Sequence, residues 1–222
     1  MPLEKLQLEW LGHSGFKFIW GGKVMYLDPY MISDYSKPAD FIFLTHSHYD
    51  HCSLADLQKI VTEKTVILLP ADAQSKINRF SFPVDMRIVE PMQEFEIAGI
   101  KISCLPSYNL HTSFHTKSEG WVGYVLCFDE ITLYHAGDTD LIPEMQKLTG
   151  FGNDKSYFIA LLPVGGKYVM DADEAAEAAA LIKPNLAIPM HYGSIHGTLE
   201  DAQEFVKLCE EKGIKAMILE KS

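Results

Sequence analysis

The sequence predicts an α/β (α+β) fold built from two mixed β-sheets with helices outside them. Short apolar segments recur along the chain, and each ends in polar or small residues, as buried strands commonly do. The early segments follow one another directly, whereas the later ones alternate with helical patterns. The chain has 222 residues, a length that one α/β domain can have, so we expect a single domain spanning residues 1–222.

The strands can be placed in chain order. Residues 16–20 and 23–27 flank Gly21-Gly22, which predicts a hairpin. Residues 41–44 form a continuous apolar run, typical of a buried strand. Six further segments have a similar pattern: residues 66–69, 100–104, 122–128, 131–134, 158–162 and 186–188.

Three helices are predicted between or after these strands. One begins after Ser53, where the sequence resembles a capping box followed by apolar residues at helical spacing. The second is the alanine-rich segment 171–183, which begins with acidic residues and ends before Pro184. The last helix begins at Thr198, and Gly213 is expected to close it.

The composition limits the partners. The net charge is -11, which disfavours long nucleic acids because their phosphates are repelled. No apolar stretch reaches the roughly 18 residues of a membrane-spanning helix, and the first ten residues do not resemble a signal peptide. The four cysteines form no CxxC pair, as expected for reduced thiols. We therefore expect a cytoplasmic protein that acts on a small-molecule substrate and has no nucleic-acid or membrane partner. A homo-oligomer is a possible state of the protein.

A dense group of metal-capable residues follows the strand at residues 41–44. His46 and His48 are two residues apart, so on an extended segment both side chains point the same way and can share one ion. Asp50 and His51 follow at a turn and can reach a second ion beside the first. Imidazole and carboxylate together suit Zn²⁺, and also Fe or Mn. The sequence therefore predicts a metal site on a strand-to-helix loop.

Other metal-capable residues also stand at predicted strand ends. Asp28 follows Leu27, Asp138 comes shortly after the segment 131–134, and His191 follows Met190. Ligands gather at strand ends because rigid strands position the side chains of short loops. We expect Asp28 to orient a ligand histidine rather than to bind metal itself.

The motif from His46 to His51 reads HxHxDH and resembles the signature of the metallo-β-lactamase superfamily. Gly137-Asp138-Thr139 resembles the family's GD motif, and Pro189-Met190-His191 resembles its last ligand histidine. The similarity extends from about Trp10 to His191. Residues 10–15 and 134–140 look like the branch that includes ascorbate-6-phosphate lactonase and many uncharacterised small hydrolases.

This resemblance implies a four-layer αββα sandwich, with two mixed β-sheets flanked by helices, and hydrolysis of an ester, lactone, amide or phosphodiester. It also implies a binuclear site for two divalent ions, Zn or alternatively Mn or Fe, in which an aspartate bridges both ions. The ligands that it implies in this chain are His46, His48, Asp50, His51, Asp138 and His191.

The chain departs from the family pattern at one position. The family supplies a further histidine in mid-chain, where this sequence has Asn109. Three alternatives follow: Asn109 binds the ion directly, His111 or His115 replaces it from the following loop, or the first ion keeps only His46, His48 and Asp138. An amide oxygen is a weaker Zn²⁺ ligand than imidazole. We favour the second or third alternative.

The expected mechanism uses a water molecule activated by the two ions to cleave a small ester, lactone or phosphoester. Asp50 is the predicted catalytic carboxylate, since it both ligates and orients the attacking oxygen. His13 or His115 is a candidate to protonate the leaving group. Residues 163–171 follow a strand and contain Gly165-Gly166, and we expect this segment to be a substrate loop in which Lys167 or Tyr168 assists.

Three other functions are weighed against this one. A phosphodiesterase of the same superfamily remains open for small substrates, although the acidic charge counts against polynucleotides. A redox di-iron protein shares the scaffold, but such proteins usually carry a flavin domain, for which this chain is too short. A non-catalytic metal-binding protein would explain Asn109 but not the nearly complete set of ligands.

Overall fold

The structure is a computed structural model that describes residues 5–77, 79–152 and 156–222. Its internal contacts divide the chain into two compact units. Unit 1 contains the residues up to Glu90 together with Glu220–Ser222, and unit 2 contains Pro91–Leu219. The prediction of one domain over residues 1–222 stays a prediction, and each unit is described by itself.

Unit 1 is built on a six-stranded mixed sheet in the order β1-β2-β3-β4-β5-β6. The first three strands are antiparallel neighbours, and β3 to β6 are parallel neighbours. The strands are β1 (Glu9–Gly12), β2 (Gly15–Trp20), β3 (Lys23–Leu27), β4 (Phe41–Phe43), β5 (Val66–Leu69) and β6 (Asp85–Ile88).

Two helices connect the parallel strands of unit 1. Helix α1 (Leu54–Ile60) lies between β4 and β5, and its N-cap is Ser53, whose side chain accepts a hydrogen bond from the backbone of Asp56. Helix α2 (Ala71–Ile77) lies between β5 and β6. Both helices bury apolar side chains in a core cluster shared with β4 and β5, which stabilises the sheet by removing apolar surface from water.

Unit 2 contains a second six-stranded mixed sheet, in the order β12-β11-β10-β9-β8-β7. Strands β7 to β10 are antiparallel neighbours, and β10 to β12 are parallel neighbours. The strands are β7 (Glu94–Ile97), β8 (Ile100–Pro106), β9 (Val122–Phe128), β10 (Ile131–His135), β11 (Tyr157–Pro163) and β12 (Leu186–Met190).

The helices of unit 2 follow the parallel strands. Helix α3 (Ala172–Ile182) lies between β11 and β12, and helix α4 (Leu199–Glu211) follows β12. Asp171 caps α3, and Thr198 caps α4 with a complete capping box. Two 3-10 turns, Lys117–Glu119 and Pro143–Leu148, lie in loops.

The predicted strands and helices are confirmed, and two mixed sheets are present. Strands β1, β6 and β7 and helix α2 were not predicted. Strands β6 and β7 are largely exposed and lack a continuous apolar run, and α2 buries only Ala73 and Ile77, so these three elements lack the pattern that marks a buried element. Within the described ranges, no helix is long and apolar enough to cross a membrane.

A buried carboxylate joins α1 to the loop after β3. Asp56 accepts hydrogen bonds from the backbone of Met31 (2.9 Å) and Ile32 (3.1 Å), from the Ser53 hydroxyl (2.7 Å) and from the Lys59 ammonium (3.1 Å). Burial alone raises the pKa of Asp56, but these hydrogen bonds outweigh it and hold the pKa below its usual value. The ionised form of Asp56 therefore stabilises unit 1.

We expect Asp56→Asn to lower the free energy of unfolding by about 2 kcal/mol at neutral pH, because an amide cannot accept all of these hydrogen bonds. The folded pKa is depressed, so the stabilisation is complete above the unfolded pKa and is lost as pH falls through the folded pKa. Chemical denaturation across this acidic range should show the free energies of unfolding of wild type and Asp56→Asn converging as the pH falls. Asp34→Asn is the control, since Asp34 contacts the same Lys59 (3.3 Å) but has an exposed side chain. Equal losses in both variants would contradict the account.

Candidate metal centre

Metal-capable side chains follow strand ends in each unit. The unit-1 donors are His46, His48, Asp50 and His51, in the loop between β4 and α1. The unit-2 donors are His115, Asp138 and His191, which follow β8, β10 and β12. All of these residues are buried except His48, which is half-buried.

Parallel pairing of β3 with β4 places the ends of both strands at one edge of the sheet. Leu27 pairs with Phe43, and the backbone of Asp28 donates to the Phe43 carbonyl (3.1 Å). The Asp28 carboxylate then accepts from the backbone of Thr45 (2.8 Å) and from its hydroxyl (2.6 Å). This fully buried pair anchors the loop that carries the unit-1 donors.

Two histidines have their protonated nitrogen fixed by this anchor. His51 Nδ1 lies 2.7 Å from Asp28 Oδ2, and because a carboxylate only accepts, the ring nitrogen is the donor. The single hydroxyl hydrogen of Thr45 goes to Asp28, so His46 Nδ1 donates to Thr45 Oγ1 (2.9 Å). In its neutral form each of these two imidazoles therefore presents an unprotonated Nε2. The contact of Asp28 with a ligand-type histidine is the one expected from the sequence.

The distances within the unit-1 group match those between ligands of one ion. Zinc bonds of 2.0–2.2 Å in a tetrahedron place neighbouring ligand atoms about 3.3 Å apart. His46 Nε2 lies 3.2 Å from His48 Nδ1, and His51 Nε2 lies 3.5 Å from Asp50 Oδ2. The side chains that the sequence places in pairs are thus paired in the structure.

His13 lies beside Asp50. Its Nε2 donates to Asp50 Oδ2 (3.0 Å), and its carbonyl accepts from the Trp10 indole (2.9 Å). The backbone of His13 is left-handed, with φ 52°, a costly conformation for a residue other than glycine. The fold therefore holds a buried imidazole N–H against the predicted catalytic carboxylate.

In unit 2, parallel pairing again brings strand ends together. His135 pairs with Leu161, and Pro163 pairs with Met190, so the segments after β10, β11 and β12 meet at one edge of the sheet. At this edge Asp138 Oδ2 lies 3.3 Å from His191 Nε2 and 3.6 Å from His115 Nε2. One carboxylate oxygen thus faces two imidazoles, again close to the spacing of ligands on zinc.

Asn109 helps to determine which ring nitrogen of His115 carries the proton. His115 Nδ1 lies 2.8 Å from Asn109 Oδ1 and 2.8 Å from the Tyr168 carbonyl, so it is the protonated nitrogen. The Asn109 amide nitrogen donates to Asp140 (2.6 Å) and to the Tyr168 carbonyl (3.0 Å), which fixes the orientation of the amide. His115 therefore presents an unprotonated Nε2 on the side of Asp138.

This geometry bears on the three alternatives left open at Asn109. The amide oxygen of Asn109 accepts hydrogen bonds from His115 and from Thr112 (3.2 Å). His111 is exposed, whereas His115 is buried with its Nε2 near Asp138. Of Asn109, His111 and His115, it is His115 whose imidazole lies beside Asp138 in the structure.

Sequence reasoning missed two residues that position the donors. Thr45 joins Asp28 to His46, and Asp140 holds the Asn109 amide. Each lies within two residues of a predicted ligand in the sequence. This closeness in sequence was the only feature that could have indicated their role. Two further residues lie close to the predicted ligands in the chain: His135 is buried and accepts from the backbone of Gly137 (3.2 Å), and burial raises the pKa of Cys52 to about 12.

The donor chemistry fits divalent metal ions. Both groups combine imidazole nitrogen with carboxylate oxygen, the ligand set that Zn²⁺ prefers in catalytic sites. In each group, ligand-type atoms lie 3.2–3.6 Å apart, a spacing at which one cation can bind two of them.

Comparisons with known proteins identify the family of this chain. The family model described as "Beta-lactamase superfamily domain" matches residues 7–191. A protein of Sulfurisphaera tokodaii described as a UPF0173 metal-dependent hydrolase is 32% identical over 228 residues, which cover 96% of each chain.

Solved structures share the fold. A metal-dependent hydrolase of Parabacteroides distasonis superposes with a TM-score of 0.83 at 26% identity, covering 97% of this chain and 93% of that one. The di-iron β-hydroxylase CmlA of Streptomyces venezuelae has a TM-score of 0.71 at 16% identity, covering 96% of this chain and 52% of CmlA, and this likeness shows the fold alone.

The chain therefore belongs to the metallo-β-lactamase superfamily, and the predicted fold class is confirmed. Within this superfamily it is a metal-dependent hydrolase of the group that the Sulfurisphaera protein represents.

The hydrogen bonds of Asn109 predict a role in metal affinity. Asn109→Ala should weaken zinc binding about 10- to 100-fold, because His115 loses part of the support that orients its ring. Chelator competition measures this affinity, and circular dichroism checks that the fold persists. Thr112→Ala is the control, since it removes the outer hydrogen bond to Asn109 (3.2 Å) and a long one from the Phe114 backbone (3.4 Å) at an exposed residue. Unchanged affinity in Asn109→Ala would show that Asn109 does not position His115.

Proposed function

We propose that this protein hydrolyses a small ester, lactone or phosphoester with two divalent metal ions, most simply Zn²⁺. The observation that carries the proposal is the spacing of paired donors in each unit, at 3.2–3.6 Å between ligand-type atoms. The order of these donors along the chain follows the family's pattern, which supports their use in one binuclear centre.

The proposed ligand assignment follows the family pattern with one change. In this assignment His46 and His48 would hold one ion, Asp50, His51 and His191 would hold the other, and Asp138 would contribute to both. The change is His115, which we assign to the first ion in place of the mid-chain histidine. Its buried position and unprotonated Nε2 beside Asp138 support this assignment. With His115 assigned as a ligand, His13 is the remaining candidate to protonate the leaving group.

Two bound ions would supply a water of lowered pKa and stabilise negative charge on a substrate oxygen. The chain's own residues do the remaining work. Asp50 orients the attacking oxygen, and His13 holds a proton at Nε2 against the Asp50 carboxylate. We propose that this proton is available to the leaving group. Asp28, Thr45 and Asn109 hold the imidazoles in the correct tautomer.

The acidic balance of the chain supports a small substrate. A net charge of -11 disfavours a polynucleotide, so the phosphodiesterase alternative is confined to small phosphodiesters. The likeness to a di-iron hydroxylase extends to the fold alone, so hydrolysis is preferred to redox chemistry. All four cysteines are free thiols, which supports our placing the protein in the reducing cytoplasm.

Asp50→Ala tests the catalytic carboxylate. With zinc-loaded protein and p-nitrophenyl esters and lactones as probes, we expect kcat/KM to fall by at least about 1,000-fold while the fold is retained, because the variant loses both a ligand and the orienting group. Asp85→Ala, which removes an exposed carboxylate on β6, should retain wild-type turnover. Near-normal turnover in Asp50→Ala would overturn the mechanism.

Metal stoichiometry tests the shared centre. Plasma mass spectrometry on protein purified without chelator or affinity tag should find two ions per chain, and Asp138→Ala should lower the content by at least one ion because Asp138 is proposed to serve both. Asp173→Asn, at an exposed position of α3, should leave the content unchanged. Two ions retained in Asp138→Ala would refute the sharing of Asp138.

A further inference from the structure

Unit 2 carries a group of partly exposed aromatic rings and one lysine that the proposed chemistry does not use. We call Phe114, Lys167, Tyr168 and His196 the rim cluster. The Phe114 and Tyr168 ring centroids are 4.7 Å apart, and those of Tyr168 and His196 are 4.9 Å apart. The Lys167 ammonium lies 5.0 Å from the centre of the Tyr168 ring. Phe114 is 57% exposed, so a large apolar surface faces solvent.

The rim cluster is attached directly to the unit-2 donors. A Cβ on Gly165 would lie 2.6 Å from the His191 carbonyl oxygen and 2.9 Å from His191 Nδ1, so only glycine allows this loop to pack on His191. Three residues later, the Tyr168 carbonyl accepts hydrogen bonds from His115 (2.8 Å) and Asn109 (3.0 Å). The Tyr168 ring is therefore held next to the donor group by its own backbone.

The charge of the cluster is also unusual for this chain. Within the described ranges Lys167 forms no ion pair with a carboxylate, whereas the whole chain has a net charge of -11. A lysine over an aromatic ring retains its attraction for an anion while its stem packs on the ring. The cluster thus combines flat apolar surfaces with one lysine that has no ion-pair partner in the described part of the chain.

We propose that the rim cluster binds the non-reacting part of the substrate, and that this part is a flat aromatic group carrying a carboxylate or phosphate. The aromatic group packs against Phe114 and Tyr168, and the anionic oxygens pair with Lys167. Ligand sites commonly combine apolar walls with a few placed polar groups in this way. The inference rests on the proposed hydrolysis at the adjacent donors and names its substrate class.

Esters with one common leaving group separate the two parts of the cluster. Mono-p-nitrophenyl terephthalate is aromatic and anionic, p-nitrophenyl benzoate is aromatic and neutral, and mono-p-nitrophenyl adipate is aliphatic and anionic. We expect the terephthalate ester to have the lowest KM with zinc-loaded protein. A p-nitrophenyl benzoate bearing a 4-phosphate distinguishes a preference for phosphate from one for carboxylate.

Lys167→Gln should raise KM for the terephthalate ester about tenfold and leave KM for the benzoate ester within about twofold, since one charged contact is lost. Phe114→Ala and Tyr168→Leu should raise KM roughly fivefold for both aromatic esters but not for the adipate ester. In all three variants kcat should change little. Lys147→Gln, an exposed lysine of unit 2 outside the cluster, is the control. Equal effects on all esters, or effects confined to kcat, would overturn the inference.

Equilibrium binding keeps this test separate from the test of hydrolysis. By calorimetry, zinc-loaded protein should bind 4-carbamoylbenzoate more tightly than benzamide, and Lys167→Gln should abolish the difference. If no ester is hydrolysed but this difference is found, the proposed activity fails and the rim cluster stands as an anion-binding aromatic site. If wild type and Lys167→Gln bind both compounds equally, the inference is wrong whatever the activity.

Discussion

The site depends on where the protons of its histidines lie. A metal ligand must present an unprotonated nitrogen, and in a neutral imidazole this happens only if the other nitrogen holds the proton. Oxygen atoms of the fold bind that proton in three histidines: the Thr45 hydroxyl for His46, the Asp28 carboxylate for His51, and the Tyr168 carbonyl with Asn109 for His115. The donors are thereby set for cations by the protein's own hydrogen bonds.

Parallel strand pairing supplies these oxygen atoms at the right places. In unit 1, β3 and β4 end side by side, so Asp28 reaches Thr45. In unit 2, the neighbouring ends of β11 and β12 bring the loop of Gly165 onto His191, and the same loop presents the Tyr168 carbonyl to His115. One loop therefore both orients a donor and carries the aromatic rings to which we assign substrate recognition.

Features formed by contiguous residues could be predicted from the sequence, whereas features that depend on the conformations of loops could not. The apolar runs and the motif from His46 to His51 are contiguous, so the main strands and the unit-1 donors were visible. The choice between His111 and His115 was left open, because it depends on how residues 107–116 fold back beside Asp138. The contribution of Tyr168 comes from its backbone carbonyl, which no residue type can signal. Strands β6 and β7 were missed because their exposed side chains give no apolar pattern.

The most direct test is the tautomer of each histidine in the metal-free protein. Two-bond ¹H–¹⁵N correlation spectra of ¹⁵N-labelled protein, at a slightly alkaline pH where imidazole is neutral, distinguish a proton on Nδ1 from one on Nε2. The account predicts that His46, His51 and His115 are all protonated on Nδ1 before any metal is added. A proton on Nε2 in these residues, or rapid exchange between both forms, would contradict the claim that the fold sets the donors in advance.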